Sequence, residues 1–354
     1  MTLIIGFLLS IAVFYIVPKS KSIIAVCISS FIIAMIAYHL TDKNQYDLVY
    51  HRQLYDTIID GGFSSAVVYS QIDRSPLYIW FVYLLSFFKN NKLISAVPTF
   101  CGYFTLGFML IKSYWKEKLS LIIAFAFLIF VLPWQDYAAG VRGALAYSVC
   151  IWAIFLDLRK GKKLKSVPFY LTSIFIHQAS IIFIFIRLLL LAIRHRIIKE
   201  RIVYILCLAL GSLTKMVSSI LDSIAQSTGL RILSTISHSF DSYVVKGTKL
   251  YEFGIVFVRL AAILLFYYVY TMSNSKVARN KDYVYKLYTM LMLVTIGFSW
   301  QYDIVCRYSF ACILLSSMML GYCKKQYMSI LLIFATINLL FYYSIYYIHW
   351  QFIF

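Results

Sequence analysis

Long apolar runs, separated by short loops crowded with lysine and arginine, leave this chain one broad class of fold. Ten such runs lie near 3–17, 22–40, 93–111, 119–133, 139–158, 202–221, 251–272, 287–301, 307–322 and 327–348. A bilayer core of about 30 Å takes about 20 helical residues to cross. A backbone in hydrocarbon must satisfy its own polar groups, which favours helices. Of the 354 residues, 62% are hydrophobic and 13% charged, about half the charged share of a soluble domain. The expectation is an all-α polytopic integral membrane protein of about 10–12 transmembrane helices, one or two of them re-entrant or short. No linker or repeat divides it, so residues 1–354 are read as one transmembrane domain. The first run lacks a basic lead and a small-residue cleavage site and is read as a retained helix rather than a signal peptide.

The net charge is +19. In a soluble protein that excess would point to nucleic acid; here it follows from where the basic residues sit. Twenty of the 33 lysines and arginines fall in the loops 19–21, 112–118, 159–165, 194–201, 276–286 and 324–325. Basic loops remain in the cytoplasm, which puts residues 41–75, 89–92, 134–142, 222–250 and 299–310 outside. The bilayer is thus an expected partner and nucleic acid is not. The seven cysteines lie mostly within apolar runs without metal-like spacing and read as small buried hydrophobes.

Two segments resist a simple crossing. Residues 76–88 number thirteen, too few to span, and are read as dipping in and returning. Residues 164–193 have a basic loop at each end, so two short helices meeting near "HQAS" (His177–Ser180) would take the chain in and back. A single long tilted helix is the alternative. Irregular backbone at that depth requires burial in protein or a wet cavity.

Ionisable groups at membrane depth cost several kcal/mol and mark functional positions by default. Arg142 opens the run after "WQDYAAGV", and Arg307 opens another after "WQYDIVC". Each could instead reach up to headgroups from a helix end. Glu252 and Arg259 are seven apart and share a helix face. The 41–75 loop carries Asp47, His51, Arg52, Asp56, Asp60, Asp73 and Arg74. Tyr50, Leu54 and Ile58 share one face there, with Asp47, His51 and Arg52 pointing elsewhere. This loop is read as an amphipathic helix at the outer interface, ended by Gly61-Gly62. The 222–250 loop is a second outer loop, with Arg231, His238 and Asp241.

The stretch "GVRGALAYSVCIWAIFLDLRKGKKLKSVPFYLTSIFIHQASIIFIFIRLLLL" resembles the centre of the EpsG-type family of bacterial membrane polysaccharide polymerases. The resemblance is carried by Arg142, Leu145 and Ala146, the Lys-rich loop, then His177 and Ser180. "NQYDLVYHRQLYD" is similar to the family's Asp-Tyr-rich segment, and "CRYSF" to its late arginine. The chain departs at Ile176, where the family carries Phe, and at Gly143, where Gln is common. The resemblance implies a Wzy-like glycosyltransferase that joins oligosaccharide repeat units carried on undecaprenyl diphosphate, at the outer face of the bacterial cytoplasmic membrane. The products would be O-antigen, capsule or exopolysaccharide. A chain-length regulator is a further partner compatible with it.

That chemistry needs a diphosphate clamp and a proton acceptor. Arginine's planar fork suits phosphate oxygens, so Arg142 and Arg307, with Arg259 deeper, are the expected diphosphate clamp; Asp47 and Arg52 are further expected substrate-binding residues. His177 is the expected base or phosphate donor, with Glu252, Asp136 and Asp303 as competing bases. No Asp-x-Asp and no Gly-rich phosphate loop occurs, and neither a metal nor a cofactor is expected. A flippase or transporter, an O-antigen ligase and a membrane O-acyltransferase would use the same embedded groups.

Overall fold

A computed structural model describes residues 2–40, 46–113, 117–132, 134–212, 220, 223–224, 226–227 and 250–350. Its described elements are helical, without strands. In chain order they are α1 (Thr2–Ile16), α2 (Ser22–Tyr38), α3 (Tyr46–Ile72), α4 (Pro76–Ser86), α5 (Leu93–Lys112), α6 (Lys118–Val131), α7 (Trp134–Ala139), α8 (Val141–Ile154), α9 (Lys163–Ile176), α10 (Ile181–Arg194), α11 (Glu200–Ser212), α12 (Leu250–Ser273), α13 (Lys276–Lys281), α14 (Tyr283–Gly297), α15 (Tyr302–Ser316) and α16 (Lys325–Trp350). The segments Lys19–Tyr38, Leu93–Lys112, Val141–Arg159 and Phe253–Ser273 are long and apolar enough to cross a membrane. The chain is an all-α polytopic membrane protein.

Helices in lipid gain little from apolar burial and associate through close packing and polar contacts. The α1–α2–α5 layer is held that way. A Cβ on Gly107 would lie 2.9 Å from Val26, so a glycine is what lets α5 approach α2. Ser29 Oγ donates to the Ser10 carbonyl at 3.0 Å. α8 links this layer to the rest, packing on α5 on one side and α9 on the other, while α11, α14, α15, α12 and α16 continue the bundle back to α6.

All six basic loops gather at one end. Lys118 bonds the Tyr15 carbonyl, Lys325 pairs with Glu117 at 2.8 Å, and Lys286 pairs with Glu200 at 2.6 Å. Arg159 reaches Asp282 and the Met318 carbonyl, each at 3.2 Å. Asp282 in turn caps α14, accepting from the Val284 and Tyr285 amides. Carboxylates here are consumed in tying loops together.

The hairpin expected over 164–193 is present as two 14-residue helices, α9 and α10, joined through His177 and a short turn, Gln178–Ser180. Fourteen residues rise about 21 Å, short of a full crossing. α9 runs back along α8, and α10 returns to the basic end, where Arg187 pairs with Asp157. The single tilted helix is excluded by the break at His177, whose φ is −156° and ψ 117°.

At the opposite end, α3 is two segments. Gly62 has φ 57° and ψ −143°, a region only glycine occupies comfortably. A straight helix would hold positions 50 and 73 about 35 Å apart, yet the Tyr50 hydroxyl lies 3.5 Å from Asp73. Gly62 therefore folds the chain back, and α4 lies alongside, with Tyr55 donating to the Leu85 carbonyl at 3.1 Å. Two expectations need correction. Tyr50 is exposed, while His51 and Arg52 are buried with Leu54, Tyr55 and Ile58, so the inward stripe runs Leu48, His51, Tyr55, Ile58. Arg307 does not open a helix; α15 begins at Tyr302, placing Arg307 about a turn and a half inside.

Candidate functional site

Arg142 stands in the first turn of α8, after Gly140 at the N-cap. Two features hold that turn. Tyr137 on α7 donates to the Ala144 carbonyl at 3.2 Å and shares a 2.7 Å bond with Ser148. Gly102 makes room for this tyrosine, since a Cβ there would stand 1.4 Å from the hydroxyl. The Arg142 guanidinium lies 5.8 Å over the ring of Tyr50 and 5.9 Å over that of Tyr78. Its ion pair with Asp73 is long, at 3.9 Å, and the side chain keeps 31% of its surface. The charge is steered by aromatic faces and left accessible.

His177 comes to the same place from the hairpin tip. Its amide donates to the Ser173 carbonyl at 2.9 Å, which fixes the end of α9. Its ring faces Tyr147 at 6.4 Å between centroids. A Cβ on Gly143 would lie 3.8 Å from His177 Cδ2. The charges acting on His177 are those of Arg307 and Arg142. Arg142, His177 and Arg307 therefore form one electrostatic unit, drawn from α8, the hairpin and α15.

A second histidine, not expected from the sequence, joins them. His51 on α3 is 2% exposed, and its ring lies 5.0 Å from that of Tyr78. Its helix, α3, is not among the segments long and apolar enough to cross a membrane. Burial, then the charge of Arg142, then His177 hold its imidazole down to about 3, so the ring is neutral near pH 7. His51 Nδ1 and the Tyr78 hydroxyl are buried without hydrogen-bond partners among the described residues. A polar atom so placed costs on the order of 1–3 kcal/mol, and a ligand oxygen would supply the missing partner.

The other expected residues divide. Asp47 is exposed in the first turn of α3, and its charge reaches Tyr78 at the edge of the cluster. Asp303 is exposed and four residues from Arg307, on the same face of α15. Arg259 is 2% exposed and lies about two and a half turns into α12, the helix packed against α15. Arg52 goes elsewhere, donating to the Leu40 carbonyl at 2.9 Å and so tying α3 to the end of α2. The side chains of Asp136 and Glu252 and the 222–250 loop, except Leu250 at the start of α12 and residues 223–224 and 226–227, lie outside the described residues.

Two arginines whose charges act on one histidine, at the end away from the basic loops, can bind a compact polyanion and stabilise charge as it develops on one. The EpsG family model matches residues 22–353. The chain belongs to the EpsG family, a Wzy-like polysaccharide polymerase family. No curated protein and no solved structure matches it.

Proposed function

We propose that this EpsG-family chain polymerises oligosaccharide repeat units carried on undecaprenyl diphosphate, at the outer face of the bacterial cytoplasmic membrane. The observation that carries the reading is that the charges of both Arg142 and Arg307 act on His177. That cluster lies at the end opposite six basic loops. Basic loops face the cytoplasm, so the cluster faces out, where lipid-linked units await joining.

In the reaction, the growing chain leaves its lipid diphosphate for a hydroxyl of the incoming unit. Arg142 and Arg307 grip diphosphate oxygens in paired, charge-assisted hydrogen bonds, with Arg259 available deeper in the bundle. Fixed cations at a site shielded from water supply several kcal/mol toward departure of the leaving group. His177, on which both charges act, donates a hydrogen bond to the same diphosphate. Asp303, Asp136 and Glu252 are the acidic residues that could act as alternative bases, and a chain-length regulator would dock on the assembled enzyme.

Deletion of the gene tests the reading through the banding of surface glycans. Loss of polymerisation leaves single repeat units on the lipid acceptor, and the intact gene restores the ladder. Long chains stranded on undecaprenyl diphosphate would identify a ligase instead. Arrest of every product on the cytoplasmic side would identify a flippase.

A further inference from the structure

We infer that His51 is a second substrate-contacting histidine, whose Nδ1 takes the proton of the acceptor hydroxyl while His177 serves the diphosphate. This rests on the polymerase reading above. Three observations carry it. First, the two histidines feel different charges: those acting on His177 are Arg307 and Arg142, whereas those acting on His51 are Arg142 and His177. His177 is thus coupled to both arginines and His51 to Arg142 alone of the two. Second, His51 Nδ1 and the neighbouring Tyr78 hydroxyl are fully enclosed and have no hydrogen-bond partner among the described residues. Buried polar atoms are nearly always bonded, and two orphans side by side next to an accessible guanidinium mark the wall of a polar subsite. Third, the wall is rigid. Tyr78 sits on α4, which the Tyr55–Leu85 bond ties to α3, and Arg52 anchors the same turn of α3 to the Leu40 carbonyl.

The chemistry balances with these groups alone. The acceptor hydroxyl oxygen forms the new bond to the anomeric carbon as the bond from that carbon to the diphosphate oxygen breaks. The electron pair of the broken bond leaves on the diphosphate, and the hydroxyl proton passes to Nδ1 of the tautomer protonated at Nε2. Burial and the nearby charge of Arg142 make this neutral imidazole a weak base. The bound diphosphate neutralises that arginine, and an anion nearby favours the protonated ring, so the base strengthens when the donor is in place. Tyr78 orients the hydroxyl.

The test uses the deletion strain complemented with the full-length gene as wild type, Arg142→Ala, His51→Phe and His51→Gln. Phenylalanine keeps an aromatic ring against Tyr78 and removes the nitrogens; glutamine keeps hydrogen bonding and cannot take the proton. The expected result is wild-type protein level with about 100-fold or greater loss of linkages in both His51 variants, the lower range for a positioned base. A full ladder in His51→Phe or His51→Gln, with Arg142→Ala inactive, overturns the role of His51 and leaves the polymerase reading standing. If His51→Phe fails to accumulate, His51→Gln decides. A deletion strain that keeps its polymer removes the polymerase reading and the role of His51 with it.

Discussion

Arg187 holds Asp157 with two nitrogens, Nη2 to Oδ1 at 3.0 Å and Nε to Oδ2, thirty residues apart in the chain. The pair joins the returning arm of the hairpin to the end of α8, the helix whose first turn carries Arg142. It sits where α8 passes into a π-turn, Phe155–Arg159. Both side chains are mostly enclosed, at 11% and 4% of their surface.

Removing one partner of such a pair leaves a buried charge uncompensated, at about 3–5 kcal/mol. Arg187→Ala is therefore expected to lower thermal stability in detergent and protein level in cells. Arg187→Met combined with Asp157→Leu is expected to recover most of that loss, because two apolar groups leave nothing unpaired. Stability of the double variant no better than Arg187→Ala would show that the pair does not act as a unit.

Two glycines beside the site are expected to behave oppositely. Gly102→Ala drives a Cβ into Tyr137, 1.4 Å from its oxygen, and overpacking of this kind costs about 1–3 kcal/mol. The displaced tyrosine holds Ala144 and Ser148, so chain extension should fall along with stability. Gly143→Ala meets only an ordinary contact with His177 and improves helix propensity by about 1 kcal/mol. Its ladder should match wild type. Equal damage from both would mean the Tyr137 contact is not what positions Arg142.

Arg142→Lys replaces a planar fork with a point charge. Loss of one charge-assisted hydrogen bond, roughly 1.5 kcal/mol, is about a tenfold loss of chain extension. Quantitative comparison of glycan ladders at equal protein level checks this. Wild-type chain length would return Arg142 to the role of a headgroup contact.

Sidedness is tested with single cysteines in a version lacking the seven native ones. An impermeant maleimide added outside spheroplasts should label Asp60→Cys and spare Lys162→Cys. Both positions are exposed, so the reverse pattern would invert the molecule.

Much of this arrangement was legible in the sequence, for identifiable reasons. The hairpin followed from two basic loops bracketing too little chain for two full spans. Arg142 and His177 followed from the cost of ionisable groups at depth. His51 is hidden by a helical phase: Tyr50, Leu54 and Ile58 share one face by their spacing, yet Tyr50 is 45% exposed. The spacing Leu48, His51, Tyr55, Ile58 is an equally good stripe, and only the fold-back at Gly62, which brings α4 alongside, selects it. The Asp157–Arg187 pair was illegible because its partners meet through tertiary packing, with no fixed sequence spacing. Arg52 shows the converse. Its charge type fits a phosphate site, but the open end of α2 competes for it and wins.

The central claim is that the lipid diphosphate lies between Arg142 and Arg307, against His177. The most direct test is a structure of the full chain in a lipid nanodisc with undecaprenyl diphosphate added. The expected density places diphosphate oxygens about 3 Å from both guanidinium groups and from a ring nitrogen of His177. Diphosphate at the basic-loop end, among Arg159, Lys286 and Lys325, with the Arg142 cluster unengaged, would contradict the account.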